Sequence, residues 1–170
     1  MLQKIFLILI LVLSLNSCSK KDAEYEIKDK VNPYKLYQEG FELFEKGNYF
    51  FAEKKFTEAE LHFEIVDFAA KSAVMSSYSL YGLNFYSEAL INIERYLRKY
   101  PTDSNVMYAH YLIAIIHYEQ ITDEKKDLQP LLKAKSKIAF FLKKYPDTDY
   151  AIDLQFKQDL IQNQLAAKEL

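Results

Sequence analysis

The run Gly47-Asn48-Tyr49-Phe50-Phe51-Ala52-Glu53-Lys54-Lys55-Phe56-Thr57-Glu58-Ala59 decides the fold, because its pattern returns twice further along the chain. Tyr49, Ala52, Phe56 and Ala59 meet Tyr86, Ala89, Ile93 and Tyr96 after a shift of 37 residues. Ala89, Ile93, Tyr96 and Pro101 then meet Ala134, Ile138, Phe141 and Pro146 after a shift of 45. Apolar residues three and four apart lie on one stripe of a helix, so each copy predicts a helix with one buried side. The same spacing extends outward from these copies and predicts helices near 34–45, 49–63, 70–82, 86–99, 104–119, 130–144 and 149–167. Gly47-Asn48-Tyr49 and Leu83-Asn84-Phe85 divide the first and second helix pairs, and Tyr100-Pro101 and Tyr145-Pro146 close the second and third.

Composition agrees with an all-α chain. Only three Gly and four Pro occur in 170 residues, too few for the turns of a β-sandwich or for a glycine-rich phosphate loop. With 22 Lys and Arg against 24 Asp and Glu, the chain lacks the basic excess that a nucleic-acid backbone demands, so no nucleic acid is expected as partner. The 14 Tyr and 12 Phe, with no Trp, are the compositional anomaly and must be placed.

The order aromatic, small, aromatic, Pro resembles the tetratricopeptide repeat of about 34 residues. That resemblance implies a right-handed solenoid of about three helical hairpins plus a terminal helix, each hairpin burying its apolar side on its neighbours. The repeats fall near 33–66, 70–101 and 104–146, with the terminal helix at 149–167, all within a domain over 33–170. Extra length is assigned to Leu61–Ala69 and to Ile121–Gln129. Gly40, Ser77 and Ala114 take the small-residue position of the three first helices, where a large side chain would hold the pair apart. On the terminal helix, Asp153, Lys157, Asp159, Gln162 and Lys168 suit a polar capping face; otherwise Leu154, Phe156, Leu160 and Ile161 await a second helix.

Residues 1–17 read as an address. One charge precedes the apolar run Ile5–Leu15, which is too short for a span of about 20 residues but suits an export signal. It ends at Leu15-Asn16-Ser17-Cys18, which resembles a bacterial lipobox, with Asn16 where a small or β-branched residue is usual. The resemblance implies cleavage before Cys18 and covalent lipid on that residue, whose thiolate is the nucleophile. Several acyl chains at about 0.8 kcal/mol per methylene anchor a protein durably. No other cofactor is expected. Ser19 after the cysteine points to the outer membrane, and 18–32 is then the lipidated Cys with a charged tether.

Candidate sites are few. No nucleophile elbow, phosphate loop, HExxH or paired Cys is present. His110 and His117, seven apart, fall where first helices pack on their partners, and His62 among Glu58, Glu60 and Glu64 reads as a solvated face. An envelope enzyme using these histidines on a metal is the rival from another class, but a ligand set is missing and no metal site is expected. Lys133, Lys135, Lys137, Lys143 and Lys144 suit either a solvated helix face or an anionic lipid or acidic partner. First helices line the concave side of such repeats, and there stand Tyr34, Tyr37, Phe41, Phe44, Tyr78, Tyr81, Tyr108, Tyr111 and Tyr118. These rings suit either packing between helices or a groove that takes an extended peptide. Tyr in place of Phe or Leu at so many positions favours the groove, because a phenol tolerates a wet wall.

A lipidated Cys, a charged tether, Asn32-Pro33 leading into Leu36-Tyr37, Gly40, Lys46-Gly47-Asn48 and Ala52 together resemble the BamD family of outer-membrane assembly lipoproteins. The more specific block runs from Tyr100-Pro101-Thr102-Asp103-Ser104-Asn105 to Tyr108-Ala109-His110-Tyr111-Leu112, where that family has YPTHPN followed by YAxYL. Asp127, Gln129 and Tyr145-Pro146-Asp147-Thr148-Asp149-Tyr150-Ala151 continue the match. Members usually carry about two further hairpins, so a fragment or shortened member is expected. The resemblance implies a non-enzymatic, periplasm-facing component of the β-barrel assembly machinery. Its implied partners are unfolded outer-membrane precursors, a BamA-like barrel protein, other assembly lipoproteins and outer-membrane lipid. A lipidated pilotin or cell-wall scaffold of the same fold is the alternative.

Overall fold

The computed structural model describes residues 31–121 and 128–167. Cys18, the signal and the tether as far as Lys30 lie outside the described residues, as do Asp127 and Lys168. Among the described residues seven helices follow one another: α1 Pro33–Glu45, α2 Tyr49–His62, α3 Val66–Gly82, α4 Tyr86–Lys99, α5 Val106–Glu119, α6 Gln129–Lys144 and α7 Asp149–Ala166. Each packs chiefly on its chain neighbours, and α3 also touches α5, and α5 touches α7. That pattern, neighbour and next-but-one, is a solenoid of helical hairpins, with α1, α3, α5 and α7 forming one layer.

The repeat positions form the interior. Ala52, Phe56, Ala59, Ala89, Ile93, Tyr96, Ala134, Ile138 and Phe141 are all completely buried. Gly40, Ser77 and Ala114 are buried where the paired helices approach. A Cβ at Gly40 would lie 3.0 Å from the Phe56 ring and 3.2 Å from Lys55 Cβ, so the close approach of α1 and α2 requires the missing side chain.

The first two hairpins turn identically. Gly47 (φ 74°) and Asn84 (φ 60°) both occupy the left-handed region just after a first helix. Gly47 N–H donates to Phe44 O and Asn48 N–H to Leu43 O; Asn84 N–H donates to Tyr81 O and Phe85 N–H to Leu80 O. These are paired Schellman bonds, which satisfy carbonyls that the helix end would leave open. Asn32 caps α1 by accepting from Tyr34 and Lys35 N–H, and Thr148 caps α7 by accepting from Ala151 N–H.

Three expectations are corrected. The third helix starts at Val66, four residues before the predicted 70, because Ala69 packs into the core and Phe68 reaches Tyr34 and Phe63. The fifth starts at Val106, after Asp103 Oδ1 accepts from both nitrogens of Asn105 and from the Tyr96 hydroxyl. On α7, Leu154 and Ile161 await no partner, since both are completely buried, whereas Ile152 and Phe156 are 72% and 64% exposed.

Between α2 and α4 the solenoid is closed by charge. Glu60 accepts a bidentate pair from Arg95 (2.7 Å each), a bond from Lys99 (3.0 Å) and one from the Tyr100 hydroxyl (3.0 Å). Beside it, Thr57 Oγ1 meets Ser76 Oγ at 3.0 Å, and Asn92 Nδ2 donates to the same Ser76 oxygen. Glu60 is buried, so the acidic run around His62 is not a uniformly solvated face; Glu58, His62 and Glu64 are exposed, but Glu60 turns inward.

Candidate peptide-binding face

Alternate helices place their rings in one connected array. Phe44 on α1 sits 5.1 Å from Tyr78 on α3, Tyr78 is 5.9 Å edge-on to Tyr108 on α5, and Tyr108 is 5.9 Å from Tyr150 on α7. Tyr81 stacks on Tyr78 at 5.9 Å, and Tyr111 meets Tyr150 at 4.5 Å. Tyr49 and Tyr86, each the first residue of a second helix, join at Phe44 and Tyr81. Gly82 leaves room for one of them, since a Cβ there would fall 2.9 Å from the Tyr49 ring. All eight rings are partly buried.

Tyr108 and Tyr111 keep their phenolic protons. Burial raises the Tyr108 phenol far above its ordinary value, helped by Tyr78, Tyr150 and Tyr111 around it. Burial likewise raises Tyr111, whose hydroxyl donates to Asp153 Oδ2 at 2.9 Å. Lys157 holds the other Asp153 oxygen at 2.8 Å, so two residues expected on a polar outer face of α7 instead brace this array. An array of rings with hydroxyls at its edges can stack on apolar side chains and bond a peptide backbone.

Of the nine predicted ring positions, the fold brings five together: Phe44, Tyr78, Tyr81, Tyr108 and Tyr111. Phe41 lies on α1 one turn before Phe44 and is 41% exposed. The other three lie apart. Tyr34 packs edge-on to Phe63 and Phe68 near the start of α1. Tyr37 leans on Phe56 inside the first hairpin, where burial raises its phenol, and Lys71 Nζ lies 5.4 Å from its ring. Tyr118 sits at the far end of α5 under Lys157. Tyr49, Tyr86 and Tyr150 were missed. For Tyr150 the signal was present: a Tyr-Ala pair follows each Tyr-Pro, Tyr108-Ala109 after Tyr100-Pro101 and, at a shorter interval, Tyr150-Ala151 after Tyr145-Pro146.

His110 and His117 occupy the other face of α5, toward α6. Burial and the ammonium groups of Lys144 and Lys137 hold His110 below the ordinary imidazole value, and burial with Lys137 and Lys133 does the same for His117. Both are therefore neutral at pH 7. Among the described residues no three His, Cys, Asp or Glu converge on a point where a metal ion would sit.

A family model described as YfiO, outer membrane lipoprotein, matches residues 29–170. The chain belongs to the YfiO family. It is 33% identical over 135 residues to the outer membrane protein assembly factor BamD of Caulobacter vibrioides, an alignment covering 79% of this chain and 44% of that protein. It is 32% identical over 165 residues to the protein of the same name from Rickettsia prowazekii, covering 96% of this chain and 64% of the relative. The chain thus spans about half to two thirds of the length of these relatives. The YfiO match begins three residues before the capping Asn32 and takes in every described helix. Within those helices none is long and apolar enough to cross a membrane.

Proposed function

We propose that this YfiO-family chain works in outer-membrane protein assembly as a lipid-anchored, periplasm-facing adaptor. Covalent lipid on Cys18 moors it, and the ring array holds segments of unfolded β-barrel precursors for transfer to a BamA-like barrel protein and its accessory lipoproteins. The mechanism is binding, with no bond-making step. The curated relatives that carry the name of an assembly factor support the setting. One observation carries the receptor role: half-buried rings run without interruption from Phe44 through Tyr78 and Tyr108 to Tyr150 across four helices. An extended strand that alternates aromatic and polar residues presents a ring every second position, about 6.6 to 6.8 Å apart, close to the 5 to 6 Å steps of the array.

The test is titration of the mature chain with a fluorescent peptide copied from the last strand of an outer-membrane barrel. Replacing Tyr78 or Tyr108 with Ala weakens binding by roughly tenfold, as removal of a central aromatic anchor does, while Tyr34→Ala leaves it unchanged. Equal affinity for all three variants would overturn the receptor assignment. Cys18→Ala releases the protein from membranes and abolishes fatty-acid labelling; retention in the membrane fraction would overturn the anchor.

A further inference from the structure

The repeats expose a difference between two junctions that should match. At the α2/α4 junction Glu60 is clamped by Arg95, Lys99 and Tyr100. The 45-residue shift carries Arg95, Lys99 and Tyr100 to Phe140, Lys144 and Tyr145, and the 37-residue shift carries Glu60 to Leu97. The second junction therefore keeps the lysine and the tyrosine, trades the guanidinium for a ring, and lacks the acid. On α5, His110 replaces the completely buried Ala73 and Ile113 replaces Ser76, the residue that bonds Thr57 and Asn92 at the first junction. Bulk replaces a polar zipper, and a cleft of about 320 Å³ stands open between α4, α5 and α6.

The cleft has an apolar floor, Glu94 and Lys137 on its wall, and Lys144 at its rim, beside His110 and Phe140. Leu97, Ile113 and the 48% exposed Phe140 line it together with Glu94, His110, Ser136 and Lys137. Lys144 Nζ lies 3.5 Å from His110 Nε2 and over the rings of Phe140 and Tyr145, at 5.7 and 5.1 Å. Among the described residues no carboxylate pairs with Lys144. His110 is neutral and adds no competing charge.

We infer that this cleft is a docking site for a partner protein's segment that presents a carboxylate beside a large apolar side chain, the carboxylate taking on Lys144 the place Glu60 holds at the first junction. Lys137 in the lining and Lys144 at the rim outnumber Glu94, so charge complementarity favours an acidic segment, and the floor of Leu97, Ile113 and Phe140 adds an apolar neighbour of that acid. The site lies on the opposite face of α5 from Tyr108 and Tyr111, so it stands or falls independently of the precursor-binding role.

The probe is a blocked tetrapeptide carrying one glutamate beside one phenylalanine, titrated into the full mature chain by NMR, with its glutamine counterpart as control. The glutamate peptide shifts the signals of His110, Ser136 and Phe140 and binds roughly tenfold more tightly than the glutamine peptide, the usual margin for a charge-assisted bond. Lys144→Gln, an exposed change that leaves the fold intact, removes that margin. Leu97→Glu supplies the missing acid internally, raises the melting temperature and blocks the peptide. Four results would overturn the inference. They are equal affinity for the two peptides, full competition by inorganic phosphate at the same concentration, Lys144-dependent binding of phosphatidylglycerol vesicles with none of the peptide, and peptide binding only after deletion of 19–32, which would make the tether the occupant.

Discussion

Glu60 shows how much one side chain can join. Burial opposes its ionisation, but the hydrogen bonds from Arg95, Lys99 and Tyr100 outweigh that and hold the carboxyl below its ordinary value. A depressed carboxyl contributes stability that is present in full above the unfolded value and is lost as pH falls through the folded one. Glu60→Gln should therefore cost about 2 kcal/mol at pH 7, a figure reduced from that of a fully buried pair because Arg95 and Lys99 remain 37% and 52% exposed. The gap between urea melts of wild type and variant should begin to narrow as pH falls past the ordinary carboxyl value and close only below the depressed folded one; a gap that stays constant through the whole acid range would exclude the charged bonds as its source. None of this was legible in the run Glu58-Ala59-Glu60-Leu61-His62-Phe63-Glu64, because the partners of Glu60 lie 35 to 40 residues away. Only the stacking of hairpins shows which acid turns inward.

At the scale of helices and turns, legibility was high wherever period and volume carried the message. Ala52, Phe56, Ala59 and their two sets of equivalents announced buried stripes, and all are buried. Helix starts were less legible. Ile65-Val66-Asp67-Phe68 has no small-residue spacing to mark it as the opening of α3, and Phe68 finds its reason only in the rings of Tyr34 and Phe63. Turn chemistry permits two predictions. Asn84→Gly should change stability by no more than a few tenths of a kcal/mol, because glycine suits the left-handed cap at least as well, whereas Asn84→Val should cost about 1–2 kcal/mol by forcing a branched residue there. Gly40→Val should cost about 1–3 kcal/mol by driving methyl groups into Phe56 and parting α1 from α2. Thermal melts of the three variants check both.

At the scale of the whole chain, the solenoid makes stability local. The first hairpin is tied to the second through the Glu60 clamp and the contacts of α2 with α3, so loosening that clamp should lower amide protection in α1 and α2 while α6 and α7 keep theirs. Hydrogen exchange on the Glu60→Gln variant measures this directly, and uniform loss across all seven helices would refute it. Of the candidate site, the contributions of first helices were legible from their ring content. Tyr49 and Tyr86 were not, because rings at the start of a helix reach the array only through the turn that precedes them.

The linked rings carry a kinetic consequence. Each aromatic is already propped by its neighbours, so little rotamer freedom is left to surrender when a guest arrives, and no pocket closes behind it. If the array is the receptor we propose, such a surface would catch quickly and let go quickly, and would discriminate weakly among sequences that share a spacing. A stepping stone must behave in that way if many different passengers are to be handed on rather than kept.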